Sequence, residues 1–199
     1  LGAANHGATL QELPAALDAV TGLAVDPAAR GYYGTINHDS KAVYQRYFGW
    51  WDGVPADFNP LPPEEAAAGY VALAGGPDRM LAAARDAYGA GNYRWAAELA
   101  NRLVFAAPDF APGKALLADS YEQLGYQAEA GSWRNYYLAA AATLRGQDTT
   151  GLTPRTQSPA FVEAIPTIDL FNALATRLAS PAAVATPQYF RFAFPDRNE

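Results

Sequence analysis

Residues 87–99 read Ala87-Tyr88-Gly89-Ala90-Gly91-Asn92-Tyr93-Arg94-Trp95-Ala96-Ala97-Glu98-Leu99, and they have an echo at Ser120-Tyr121-Glu122-Gln123-Leu124-Gly125-Tyr126. Tyr121 stands 33 residues after Tyr88, and each copy pairs two tyrosines across a short gap. Between them, Ala96, Ala97, Leu99, Ala100 and Leu103 recur at helical spacing, and Pro108 interrupts the pattern. Apolar residues spaced this way build one face of a helix, and small ones let two helices approach closely. The two tyrosine motifs are expected to mark helix–helix turns, one around Gly89–Asn92 and one around Leu124–Tyr126.

A period near 34 residues with a proline after the second helix resembles a tetratricopeptide-type hairpin. Two such units fall short of the roughly three that a free-standing solenoid needs, so the block is expected to lean on a partner. Helical patterning extends on both sides. Pro63 precedes Glu64 and Glu65, two acids where a helix N-terminus favours negative charge, and Gly75-Gly76-Pro77-Asp78 ends one helix and begins the next. Helix is expected over nearly all of 63–145.

Upstream, Trp50 to Pro63 holds several prolines and two tryptophans, which reads as an ordered, extended arm whose aromatics need burial. Before it, Asp39 is expected to cap a short helix with Val43, Tyr44, Tyr47 and Phe48 on one face and Gly49 as its stop. Gly31-Tyr32-Tyr33-Gly34-Thr35 reads as an aromatic turn or short strand. Thr9-Leu10-Gln11-Glu12 has capping-box spacing, although Pro14 allows the helix to begin there instead. Downstream, Gly146 to Pro159 marks a boundary. Ile168, Phe171, Leu174, Ala175 and Leu178 form a further amphipathic helix, and Tyr189–Pro195 alternates like a strand. A lone strand cannot satisfy its own ladder, and Leu1–His6 shows no start methionine or apolar leader. The chain therefore reads as the middle of a longer protein.

Composition narrows the function classes. Half of the 199 residues are apolar and 13% are aromatic, enough to fill a core. Fourteen basic against twenty acidic residues give a formal charge of −6. That balance, with no basic run, argues against a nucleic-acid or anionic-membrane partner, and no apolar stretch is long enough to span a bilayer. Cysteine is absent, which removes disulfides, thiol catalysis and cysteine-ligated metals and leaves the compartment open, with an exported location compatible.

Several segments in order resemble one family: Gly31-Tyr32-Tyr33-Gly34-Thr35-Ile36-Asn37-His38-Asp39-Ser40-Lys41-Ala42-Val43-Tyr44-Gln45-Arg46-Tyr47, then Gly49-Trp50-Trp51-Asp52-Gly53, Asn59-Pro60-Leu61-Pro62-Pro63, Gly91-Asn92-Tyr93-Arg94-Trp95-Ala96-Ala97-Glu98-Leu99, Leu124-Gly125-Tyr126-Gln127-Ala128-Glu129, and Trp133-Arg134-Asn135. Together they are similar to the alkylsulfatases of the metallo-β-lactamase superfamily, which hydrolyse detergents such as dodecyl sulfate. The resemblance implies a parent with a catalytic domain binding two zinc ions, a helical dimerisation domain, and a sterol-carrier-protein-like C-terminal domain.

This chain has two histidines and no His-x-His-x-Asp-His motif, so no metal site is expected in it and it should be inactive alone. The expected architecture is mainly α: tetratricopeptide-like helical hairpins forming an intertwined dimerisation domain, with a short β segment at the C-terminus. Residues 1–62 would be the end of the catalytic domain and a connecting arm, 63–146 the dimerisation domain, and 147–199 a linker and the beginning of the third domain. The partners implied are a second copy and the catalytic domain, on the same polypeptide or a companion chain.

Two residues are candidates for substrate binding. By the resemblance, the segment of His38 approaches the catalytic pocket, where an imidazole can hydrogen-bond a sulfate or help protonate a leaving alkoxide; the alternative is a helix-capping or packing role. Tyr33 is a candidate for lining the same pocket, against core packing. His6, at an expected helix start, has no evident chemical role. Glu64-Glu65 is a helix-end charge pair, because adjacent helical residues diverge by about 100°. A free-standing tetratricopeptide-like adaptor is the rival reading of the whole chain.

Overall fold

Glycine and proline set most of the helix boundaries. The structure is a computed structural model describing residues 1–17, 26–149, 151, 158–177 and 191–194. A four-residue helix α1 (Gly2–Asn5) ends with His6 as its C-cap, one residue before Gly7 at φ 93°, so His6 closes a helix rather than opening one. Thr9 donates through its backbone N–H and its hydroxyl to the Glu12 carboxylate at 2.9 and 2.8 Å. That turn precedes α2 (Leu13–Leu17), which carries Pro14 in its first turn, where a missing N–H costs nothing.

Helix α3 (Ile36–Phe48) starts one turn earlier than Asp39 led us to expect. Its N-cap is Thr35, whose Oγ1 accepts from the His38 N–H at 3.1 Å. Both residues have capping chemistry; Thr35 prevails because its backbone is extended, with φ −137° and ψ 150°, while Asp39 already lies inside the first turn. Gly49, at φ 90°, stops the helix as expected.

Helix α4 (Pro63–Leu73) opens on Pro63 with Glu64 and Glu65 in its first turn. Gly75 and Gly76 then adopt φ of 88° and 106°, a reversal only glycine makes without strain, and Pro77 opens α5 (Pro77–Gly89). Asn92 caps α6 (Tyr93–Ala106), accepting from the Trp95 N–H at 3.4 Å. Helices α7 (Ala111–Gln127) and α8 (Gly131–Leu144) follow.

The expected turn at Leu124–Tyr126 is not there. Helix α7 runs through it, and the chain reverses at Ala128–Ala130. The reason is packing. Gly125 is buried in the helix, and a Cβ on it would fall 2.8 Å from Leu138 Cδ2 and 2.9 Å from Leu138 Cγ on α8. The first tyrosine motif does bracket a turn, with Gly91 at φ 77°. In the second, the glycine serves as the flat spot on which α8 rests.

Short connections fold successive helices back on one another, and α6 lies at the centre, packed against α4, α5 and α7, with α8 on α7. Met80, Leu81 and Ala84 of α5, Ala97, Ala100 and Leu103 of α6, and Leu116 and Leu117 of α7 form the core. Leu103 is fully buried, and burying such a side chain contributes about 1.5–3 kcal/mol. The alanines bring helix axes close, and Arg102 of α6 lies 4.7 Å over the Tyr70 ring of α4.

Contacts divide the chain into Leu1–Leu152 and Thr153–Glu199. In the second unit Ser158 caps α9 (Pro159–Ala164), accepting from the Phe161 N–H at 3.2 Å. The expected amphipathic helix is α10 (Thr167–Ala175); Leu178 lies outside the described residues. Phe171 meets Phe192 and Phe194 with ring centroids 5.0 and 6.4 Å apart. The short C-terminal β segment does not appear: among the described residues there is no strand, Arg191–Phe194 included, and Tyr189, Phe190 and Pro195 lie outside them. An alternating segment becomes a strand only where a neighbour completes its ladder; here Phe192 and Phe194 are spent on a helix. The protein is mainly helical.

Candidate functional site: the His38 corner and the aromatic arm

The first turn of α3 and the first turn of α8 meet at a corner built by backbone groups. The Gly31–Thr35 turn runs across the start of α8. There the Gly131 N–H donates to the Tyr32 carbonyl at 2.7 Å and the Ser132 hydroxyl to the Tyr33 carbonyl at 3.1 Å. Free N–H groups at a helix start need acceptors, and the loop supplies one. Arg30 pairs with Glu129 at 2.5 Å, just before the same helix.

His38 stands in this corner. Its Nδ1 accepts a hydrogen bond from the Trp133 indole N–H of α8, and the two rings meet edge to face with centroids 4.9 Å apart at 89°. The side chain is otherwise exposed. Tyr33, the other candidate, is 95% exposed, so it does not pack in this chain's core; its carbonyl is held while its ring is left in solvent. Asn37, beside His38, has a buried Oδ1 without a hydrogen-bond partner, an acceptor that an abutting group would satisfy.

The sequence singled out His38 and Tyr33 as site candidates and Trp133 only as part of the family resemblance, and Trp133 lies 95 residues from His38; no local pattern reports a contact of that separation. Behind the corner, α1, α2 and α3 line an open apolar cavity of about 340 Å³, with Leu13, Leu17, Ile36, Val43, Tyr44 and Phe48 among its walls.

The arm that follows α3 is ordered by its own contacts. Trp51 Nε1 donates to the Val54 carbonyl at 3.0 Å, the Val54 N–H donates to Asp52 at 2.9 Å, and Phe58 packs against both Trp50 and Trp51. A hydrogen bond with Asp52, and its charge, push the Asp57 carboxyl up. Yet the outer aromatic faces stay open on the arm and on the last turn of α3 that leads into it: Trp50 is 68%, Phe58 60% and Tyr47 69% exposed. Leu73 at the end of α4 and Tyr136 on α8 are more exposed still.

Charged groups of α7 pair with Arg145, just past the end of α8. Arg145 meets Asp119 and Glu122 at 2.8 and 2.9 Å, and the Tyr126 hydroxyl donates to Glu122 at 3.1 Å. The Arg145 bond, then that of Tyr126, holds the Glu122 carboxyl below its usual range. Burial pushes the Tyr121 phenol up. Among the described residues no three His, Asp or Glu side chains gather as a metal site, and no helix is long and apolar enough to cross a membrane. The described residues do not fit a zinc pair.

Comparison with known proteins agrees with a helical dimerisation region. The chain is 43% identical over 178 residues to a linear primary-alkylsulfatase of Pseudomonas sp., spanning 89% of this chain and 26% of that protein. An (R)-specific secondary-alkylsulfatase of Pseudomonas sp. is 41% identical over 197 residues, 98% of this chain and 29% of the relative. The solved structure of the stereoselective inverting sec-alkylsulfatase Pisa1 from Pseudomonas sp. superposes with a TM-score of 0.78 at 41% identity, covering 89% of this chain and 28% of that one. The chain thus spans about a quarter of the length of these relatives. The Alkyl sulfatase dimerisation family matches residues 9–147, a stretch that holds the α3–α8 corner, the aromatic arm and the whole helical core, and the chain belongs to that family.

Proposed function

We propose that this chain is the dimerisation region of a zinc-dependent alkylsulfatase and that it also shapes the entrance to the enzyme's substrate pocket. The observation that carries the reading is the open aromatic arm. The helical block closes its own core around Leu103 and Leu117, yet Tyr47, Trp50 and Phe58 present their rings to solvent. Aromatic side chains are enriched in protein interfaces, and a closed homodimer covers such a patch with its own copy about a twofold axis. Residues 63–146 would be the dimerisation domain, built of tetratricopeptide-like hairpins that intertwine with the second copy. Residues 1–62 would close the catalytic domain and form the arm, and 147–199 would lead into a sterol-carrier-protein-like domain.

The catalytic work belongs to a metallo-β-lactamase-type domain carrying the two zinc ions, on the same polypeptide or a companion chain. His38 and Tyr33 are assigned to the rim of its pocket. Their exposure, the unpartnered Asn37 oxygen and the apolar cavity behind α3 support an abutting domain there. Light scattering at micromolar concentration tests the dimer: a mass twice 21.2 kDa is expected, and a stable monomer would refute it. The adaptor reading has one observation in its favour, a 300 Å³ groove lined by Arg94, Glu98, Asn101, Tyr121 and Tyr137 among others; a monomer that binds peptides there would establish it.

A further inference from the structure

An indole N–H only donates and a neutral imidazole has one accepting nitrogen, so the bond from Trp133 to His38 fixes more than a ring position. The lone pair that receives the indole proton is on Nδ1, and the imidazole's own proton must then sit on Nε2, on the opposite edge of the ring. Few contacts of an exposed histidine specify its tautomer, and this one is held from both sides. The His38 backbone N–H is bound by Thr35 Oγ1 at 3.1 Å, which anchors the residue in the first turn of α3. Trp133 is anchored in the first turn of α8 by the Gly131–Tyr32 and Ser132–Tyr33 bonds beside it. The two rings also meet edge to face, with their planes at 89°, and the His38 residue is otherwise exposed.

We propose that Trp133 is the positioning residue of His38: it holds the imidazole as the Nε2–H tautomer, so that His38 presents a fixed hydrogen-bond donor to an anionic oxygen of the sulfate-ester class. The tautomer follows from the corner alone; the sulfate ester rests on the assignment of His38 to the rim of the sulfatase pocket. A helix of the dimerisation region then sets the state in which a histidine of the pocket meets its ligand. The same second-residue device, a hydrogen bond on one imidazole nitrogen deciding what the other can do, operates in metal and catalytic histidines generally.

The full 199-residue chain has two histidines, so ring-nitrogen NMR reads each one separately. At a pH where both rings are neutral, His38 should show one tautomer with the proton on Nε2, while the exposed His6 averages the two. An averaged His38, or one protonated on Nδ1, would overturn the proposal. Trp133→Phe keeps a ring edge and removes the donor, and should return His38 to an averaged mixture with the melting curve still cooperative. Should that variant fail to fold, the Trp133 indole N–H decides. Its solvent exchange should be slow in the native chain, faster by tenfold or more in His38→Ala, and slowed again in His38→Gln, whose amide oxygen accepts; equal exchange in all three refutes the bond. In the complete enzyme, Trp133→Phe should lower turnover by about tenfold, the low end of such second-residue effects. A fixed tautomer with turnover unaffected by both His38→Ala and Trp133→Phe would remove the sulfate ester and leave the positioning intact; an averaged tautomer removes the positioning whatever the activity.

Discussion

Replacing Gly125 and Gly69 with alanine should move stability in opposite directions, and the difference isolates the close approach of α7 and α8. Both glycines lie within helices, where alanine is favoured by up to about 1 kcal/mol. At Gly69 on α4 a Cβ meets nothing within 4 Å, so Gly69→Ala should stabilise by roughly 0.5–1 kcal/mol. At Gly125 the new carbon falls 2.8 Å from Leu138 Cδ2, 2.9 Å from Leu138 Cγ and 3.4 Å from Tyr137 Cβ. Ordinary carbon contacts lie near 3.5–4.0 Å. Because Cγ is struck as well as the methyl, Leu138 cannot escape by turning its far end alone, and the helix pair has to shift. Overpacking of this kind costs about 1–3 kcal/mol, which outweighs the propensity gain near a helix end and leaves Gly125→Ala destabilised by about 1–2 kcal/mol. Urea unfolding followed by circular dichroism measures both. On a Leu138→Ala background the clash is gone, and Gly125→Ala should then be neutral or stabilising, a coupling of at least about 1 kcal/mol. Equal signs for Gly69→Ala and Gly125→Ala in the native background would refute the packing account.

Leu103→Ala, at the centre of the core, should cost about 3–5 kcal/mol in the same urea assay; less than about 1 would mean that α6 is not the hub of the fold. Trp95 is 48% exposed in the single chain, so Trp95→Ala should cost the fold only about half of the 3–5 kcal/mol typical of a buried tryptophan; if the dimer covers the rest, its dissociation constant should rise about 30-fold or more in sedimentation at graded concentration. Glu122, held below its usual range by Arg145, contributes stability that is present above the ordinary glutamate range and lost as pH falls through the depressed value. The fall in melting temperature on acidification should therefore be shallower in Arg145→Gln than in the native chain, and identical slopes would dismiss the α7–α8 clamp. The purified, tag-free chain should hold no stoichiometric zinc by atomic emission, since two histidines and no cysteine offer too few ligands; one zinc per chain would overturn that count.

What the sequence determined by itself were the features whose physics is local. A proline can only begin a helix or break one, so Pro63 and Pro77 announced α4 and α5. Glycine adopts positive φ at no cost, so Gly49, Gly75 and Gly76 announced where helices stop. The apolar spacing through Ala96, Ala100 and Leu103 gave α6 its buried face. Tertiary structure decided wherever one residue type serves two purposes. Gly125 reads as a turn glycine because its motif echoes the Gly89–Asn92 turn, with Asn92 at the matching place, and only the presence of Leu138 across the helix pair shows that it is needed for close contact inside α7. Thr35 and Asp39 are both competent caps, and the extended backbone of the Gly31–Thr35 turn, pinned to α8 through Tyr32 and Tyr33, selects the first. His38 was legible as a candidate because histidine is chemically versatile. Its tautomer was not, since that depends on a Trp133 donor 95 residues away, and a chain carries no local record of which distant side chain folding will bring to its lone pair.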